Sequence, residues 1–233
     1  RAKLRSPEGA VKAVKSGDWV DYTSNVCFPA LLDAALAKRR DELRDVKIRG
    51  NLIFQTLATV ESDPEREHFI YNSWHCSGYE RKLCDKGLCN YIPMIFRNLG
   101  WYYTNFLTVN VAMMAVTPMD KHGYFNFSCA TGVARAILER ADIVILEVNE
   151  HLPRLRGGFD EVIHISDVDM VVEGAHAPFT DLPAHRSPQS PSRRRRTAPS
   201  RNSSCRRSRA ALPCSSASAE CRMSSVRCWR NPM

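Results

Sequence analysis

The chain has 233 residues and a formal net charge of +8, a balance that on its face suggests a polyanionic partner. No run of about 18 apolar residues occurs, which excludes a membrane-spanning helix. The charge is unevenly placed: residues 1–183 hold 21 Lys or Arg against 24 Asp or Glu, whereas residues 184–233 hold twelve Arg, twelve Ser, no Lys and one acid, Glu220.

Taken in chain order, Ser6-Pro7-Glu8 predicts a helix start, with Ser as N-cap, Pro at the first helical position and an acid near the positive end. This helix should reach about Lys15. Asp18–Tyr22 reads as a strand. Pro29 opens a longer helix in which Leu31, Leu32, Ala35 and Leu36 share one apolar face. Strands are expected at Val46–Arg49 and Phe69–Asn72, and a helix-like stretch at Gly78–Leu88. Val109–Thr117 is almost wholly apolar, as a strand buried on both faces is. Ala130–Ala141 should be helical, with Val133, Ile137 and Leu138 on one side. Asp142–Val148 is a second buried strand. Strands alternating with helices predict an α/β fold: a mainly parallel sheet with flanking helices. The two apolar strands should lie adjacent or nearly so, and parallel, joined by the intervening helix.

Residues 1–183 are long enough for one domain with a real core, or for one half of a larger enzyme. The arginine-serine stretch 184–233 is a different kind of sequence. It has too few aliphatic residues and too much charge to bury a core, and is expected to be a disordered tail. Arg without Lys, with abundant Ser, Pro, Ala and Cys, is also what GC-rich coding sequence yields out of frame. The alternative is a natural basic arm whose run Arg193–Arg196 binds RNA or another polyanion. Against it, Trp229 is the one aromatic residue there that can stack on a base, and it lies far from that run. The first residue is Arg rather than Met, which leaves the completeness of the N-terminus open, and no secretory signal is evident. Five cysteines in the body, an odd number, are expected to be free thiols of a cytoplasmic protein.

Three segments follow predicted strands, where open α/β sheets bind ligands. They are Asn72–Arg81, Thr117–Phe127 and Asn149–Gly158. The candidates for a substrate pocket are Asn72, Trp74, His75, Met119, Asp120, His122, Gly123 and Tyr124. His122 supplies a donor, and Gly123 allows close approach of the backbone to a ligand. His75, Cys76, Cys84 and Cys89 lack the paired spacing of a zinc site, so these thiols are expected to be structural and no metal is expected. Neither a Walker loop nor a Gly-x-Gly-x-x-Gly fingerprint is present.

The strings NSWHCSGYERKLCDKGLCNYIPMIF, VTPMDKHGYFNFS, ADIVILEVNEHLPR and IHISDVDMVVEG together resemble the acetyl-CoA hydrolase/transferase family, from about Gly17 to Glu173. The resemblance implies a two-domain enzyme whose N-terminal half is α/β. It implies transfer of CoA from an acyl-CoA to a short carboxylate such as acetate or butyrate, with hydrolysis as the variant in which water is the acceptor. A glutamate of the C-terminal half would attack the thioester, giving an acyl-glutamyl anhydride and then a glutamyl-CoA thioester. That glutamate is expected beyond the C-terminus of this chain, which alone would then be inactive. The implied partners are acyl-CoA, a carboxylate and further copies of the enzyme, not nucleic acid or membrane. CoA thioester is substrate, and no permanently bound cofactor is implied. The family continues past VVEG with a linker and a segment close to LQLGIGGMPN. A shifted frame through Leu212–Met223 can be written to match it. Many members have a glycine-rich run where this chain has Thr23–Phe28, a difference that bears on substrate choice.

Overall fold

The computed structural model describes residues 2–156, 158 and 160–176. The proposed arginine arm, the shifted reading frame and the disordered tail all concern residues outside that set.

The chain runs β1 (Leu4–Arg5), α1 (Pro7–Ala10), β2 (Trp19–Tyr22), α2 (Ala30–Ala37), β3 (Val46–Gly50), α3 (Ala58–Ser62), β4 (Phe69–Ser73) and α4 (Gly78–Asp85). It continues through β5 (Cys89–Tyr91), α5 (Phe96–Asn105), β6 (Val109–Val116), β7 (Tyr124–Asn126), α6 (Ala134–Arg140), β8 (Ala141–Val148), β9 (Val162–His164) and β10 (Met170–Glu173). Eight strands form one sheet in the order β1-β10-β8-β6-β2-β3-β4-β5, and every pairing in it is parallel. β7 and β9 form a separate antiparallel pair, with Phe125 opposite Ile163.

Period-two alternation divides the core. On β6, Val111 and Met113 face a layer with Leu32 and Leu36 of α2 and with Ala10 of α1. Ala112, Met114 and Val116 face the opposite layer, against Leu99 and Tyr103 of α5 and Ile137 and Leu138 of α6. This two-sided burial is why Val109–Val116 is apolar at every position but Asn110. Each fully buried Val, Leu, Ile or Met among them contributes roughly 1.5–3 kcal/mol. β6 and β8 pair directly, Val111 opposite Ile143 and Val116 opposite Val148, as two apolar runs flanking a helix predict.

Two polar networks hold elements together inside this core. Arg49 on β3 donates to both carboxylate oxygens of Asp21 on β2, at 2.5–3.1 Å. Tyr103 of α5 donates to the same carboxylate at 2.6 Å, and the guanidinium lies 4.5 Å from the Trp19 ring centre. In the second network, Ser77 caps α4 and Glu80 reaches back to the Ser77 N–H, a complete capping box. The Glu80 carboxylate also accepts from Tyr71 (2.6 Å), Ser73 (2.9 Å) and the Ile53 N–H (3.0 Å). A side chain that the sequence presents as an ordinary cap therefore ties α4 to β4 and to the loop after β3.

Several elements differ from expectation. Ser6 does cap α1, accepting from the Gly9 N–H, but the α-helix ends at Ala10 and continues as a 3-10 turn over Val11–Ala13. α6 begins at Ala134 rather than Ala130, and α4 ends at Asp85 rather than Leu88. β5, α5, β10 and the β7–β9 pair were not foreseen. α5 buries only Leu99 and Tyr103. Its Gly100, Thr104 and four aromatic residues are weak helix formers, so packing on the sheet determines that helix.

Candidate functional site at the carboxyl edge of the sheet

Because all eight strands are parallel, their carboxyl ends share one edge. From β2 the chain winds outward through β3, β4 and β5. From β6 it winds the other way through β8 and β10. The strand order thus reverses between β2 and β6, which is where a doubly wound sheet opens a crevice for ligands. At that point Cys27, Ala115, Ala130 and Leu152 form a small apolar cluster. Thr23 Oγ1 donates to the Cys27 carbonyl and Cys27 Sγ to the Phe127 carbonyl. Burial pushes the Cys27 thiol up to about 12, so it is a packing group rather than a nucleophile.

The eight sequence candidates fall in two places. Trp74 and His75, after β4, line a cavity of about 250 Å³ with Asn51, Tyr91, Met94 and Phe96. The Trp74 ring packs edge-on against Tyr103, centroids 6.5 Å apart. Asn72 does not join them: its amide donates to the Ile48 and Ile70 carbonyls and accepts from Asn90. These bonds tie β4 to β3 and β5. Met119 lines a different groove, of about 750 Å³, with Lys3, Pro118, Phe125, Val148 and Ile165. β4 and β6 are separated by β3 and β2, about 14 Å at the usual strand spacing. The candidates therefore form two sites, not one.

Within the second loop, Asp120 organises its own turn. One carboxylate oxygen accepts from the His122 and Tyr124 N–H groups, both at 2.9 Å. The other accepts from Arg154 at 2.7 Å. The backbone bond from Tyr124, with Arg154 and His122 in support, holds its carboxyl down at about 2. Arg154 belongs to the third candidate segment, and Asn126 adds a second tie by bonding the Leu155 carbonyl and N–H. Loops two and three are one assembly. Gly123 sits at φ +88, and a Cβ there would stand 2.8 Å from His164 Nε2. The glycine thus permits close approach of the His164 ring. Tyr124 packs against that same ring, centroids 4.9 Å apart. His122 is exposed at the tip.

A buried carboxylate pair escaped the sequence reading. Glu147 near the end of β8 accepts from the Leu32 N–H at the start of α2, at 2.9 Å. Its other oxygen, Oε1, lies 3.6 Å from His176 Nδ1. His176 Nε2 donates to the Val148 carbonyl, which leaves Nδ1 with its lone pair facing Glu147. Burial raises Glu147 from 4.5 to about 7 and lowers His176, so both favour the neutral form. Asp33 nearby accepts from Tyr22, Thr59 and the Ala58 N–H, and burial lifts it to about 6. The signal was available: Glu147 is the one acid inside the apolar run Ile143–Val148.

Residues 1–181 match the model of the acetyl-CoA hydrolase/transferase N-terminal domain. The chain belongs to the acetyl-CoA hydrolase/transferase family. It is 48% identical over 181 residues to a butyryl-CoA:acetate CoA-transferase of Anaerostipes caccae, covering 77% of this chain and 41% of that protein. It is 44% identical over 183 residues to a probable butyrate:acetyl-CoA coenzyme A-transferase of Syntrophomonas wolfei, covering 78% and 41%. Among solved structures it resembles RipA from Yersinia pestis, with a TM-score of 0.70 at 28% identity over 78% of this chain and 44% of that one. The chain spans about two-fifths of the length of these relatives. Among the described residues, no helix is long and apolar enough to cross a membrane.

Proposed function

We propose that this chain is the N-terminal part of an acyl-CoA:carboxylate CoA-transferase exchanging CoA between acetyl-CoA and a short carboxylate such as butyrate. The observation that carries the reading is the 48% identity to a butyryl-CoA:acetate CoA-transferase across the whole matched segment. The substrates are then acyl-CoA and a free carboxylate, with no bound cofactor taking part, and the full-length enzyme is an oligomer. The five described cysteines are all free thiols, which supports a reducing, cytoplasmic setting.

The reaction breaks an acyl–sulfur bond and needs a carboxylate nucleophile. The acids buried near the carboxyl edge are poorly suited. Asp21 is paired with Arg49, Asp33 and Glu80 each accept several hydrogen bonds, and Glu147 favours its protonated form. We therefore place the attacking glutamate in the portion of the family's length that this chain does not span. Division of the enzyme follows: the sheet edge binds and orients, and the second half supplies the nucleophile. The groove beside Met119 is of a size that takes a small-molecule group, and His122, exposed at the tip of the same loop, would donate to the bound acyl-CoA. Domain limits at about residue 183, with 184–233 as an out-of-frame product, belong to the same reading.

The test is CoA exchange between acetyl-CoA and butyrate, followed by mass spectrometry. The expected result is no transfer above the no-enzyme control for the 233-residue chain. A version completed to the length of the relatives should show ping-pong kinetics, since a covalent intermediate separates the half-reactions. Turnover by the short chain would overturn the placement of the nucleophile. Hydrolysis without transfer in the completed enzyme would move the assignment to the family's hydrolases.

A further inference from the structure

The spacing of Cys76, Cys84 and Cys89 gave no reason to group them, yet the fold does so. Cys76 stands just before the N-cap of α4, Cys84 lies in the last turn of that helix, and Cys89 opens β5. Gly87, at φ +73, reverses the chain. The Leu88 N–H then returns to the Leu83 carbonyl at 2.8 Å, so β5 comes back beside the helix and pairs with β4, Cys89 opposite Tyr71. The three sulfurs end within 4.8 Å of one another, with Cys76 and Cys84 3.7 Å apart. All three are free thiols, Cys89 buried and the others half-buried. Among the described residues this is the one cluster of three or more side chains with metal-ligating chemistry.

The spacing has chemical meaning. Metal–thiolate bonds are about 2.3 Å long, so three sulfurs around one ion in a plane stand about 4.0 Å apart. The 3.7 Å between Cys76 and Cys84, and the 4.8 Å within which all three sulfurs lie, are compatible with that value. Among the described residues no fourth side chain joins the cluster. Glu80, the adjacent acid, has both oxygens occupied by Tyr71, Ser73, Ser77 and Ile53, and His75 is exposed outside the cluster. Structural zinc sites close with four protein ligands, whereas an all-sulfur set of low coordination number suits a softer ion.

We propose that Cys76, Cys84 and Cys89 form a three-sulfur site for one thiophilic metal ion, with copper(I) favoured over zinc(II). On binding, each sulfur gives its proton to solvent and forms one metal–sulfur bond, and nothing is oxidised or reduced. The site lies next to Trp74 and His75, so an ion there would also hold the loop that lines the smaller cavity.

The experiment uses the full chain with serine at Cys129, Cys205, Cys214, Cys221 and Cys228, kept reduced with a phosphine. Copper(I) is titrated against a chromophoric chelator, with zinc(II) in a parallel arm. One copper(I) per chain is expected, bound more tightly than zinc(II), with a thiolate-to-metal band in the ultraviolet and a raised melting temperature. Cys84→Ser and, separately, Cys76→Ser should each weaken copper(I) by more than about 10-fold, the low end of what losing even a supporting group costs. Both variants alter half-exposed side chains, and circular dichroism confirms that each is folded. Copper(I) affinity unchanged in either folded variant, tighter binding of zinc(II), or no binding at all would each overturn the proposal.

Discussion

His122 and Glu147 represent two different demands on a single residue. His122 is exposed at the tip of a turn that Asp120 organises through backbone bonds, so the turn does not need the imidazole. In the completed enzyme, His122→Ala should lower the rate of CoA transfer at least 10-fold, within the range for one general acid–base or donor group, while the melting temperature stays within a degree or two. A parallel fall of rate and melting temperature would show that the ring only orders its own loop. Glu147 makes a prediction about pH. Its folded value of about 7 lies above the ordinary 4.5, so between these values the native state holds more proton than the unfolded chain. Stability from this group is fully present below about pH 4.5 and is lost as pH rises through 7. Glu147→Gln keeps the shape without the charge. In urea melts at pH 5 and pH 8 it should flatten the decline and leave the variant more stable than the parent at pH 8, by up to about 3 kcal/mol. An unchanged slope would mean that Glu147 is ionised at low pH despite its burial.

At the scale of elements, the Asp21–Arg49 pair is the sharpest case. It joins β2 to β3 and, through Tyr103, to α5, with both charged groups almost wholly buried. Asp21→Asn should cost about 3–5 kcal/mol, because Arg49 is left with an uncompensated charge. Replacing both together, Asp21→Leu with Arg49→Met, should recover most of the loss. A double variant no better than the single one would assign the cost to packing. The strands of greatest apolar content were legible because burial on both faces leaves a continuous signal, as in Val109–Val116. The capping box of Ser77 and Glu80 went unread although Ser-x-x-Glu is a local pattern, and its wider reach to Tyr71, Ser73 and Ile53 has no local signal at all. α5 was hidden by its own composition. Gly123 could be recognised as a turn glycine, but the ring it accommodates, His164, comes from a strand some forty residues later in the chain and is placed by the β7–β9 pair. The thiol cluster was equally invisible, because its members meet through the return of β5 and not through their spacing.

At the scale of the whole molecule, the apolar residues left at the surface are informative. Tyr91, Ile95, Phe96, Trp101 and Phe106 are each more than half exposed, and they run from the end of β5 along α5. Trp101 and Phe106 meet edge to face, centroids 4.9 Å apart, which stiffens the row without covering it. Apolar surface collected on one element of a soluble protein marks an interaction face or an aggregation risk. The relatives extend for more than half their length beyond the segment shared with this chain, so protein able to cover the row exists in them. The row is therefore expected to be where that further portion of the relatives docks. The 233-residue chain alone should associate as its concentration rises in light scattering, and Trp101→Ser with Phe106→Ser should suppress this without lowering the melting temperature, since neither side chain is in the core. Adding the C-terminal half of the Anaerostipes caccae relative should have the same effect by covering the row, and should protect Trp101 from quenching by a water-soluble agent. A parent chain that stays monomeric at high concentration, with Trp101 equally quenchable whether or not the second half is present, would show that the row is simply solvated surface and that the two halves meet elsewhere.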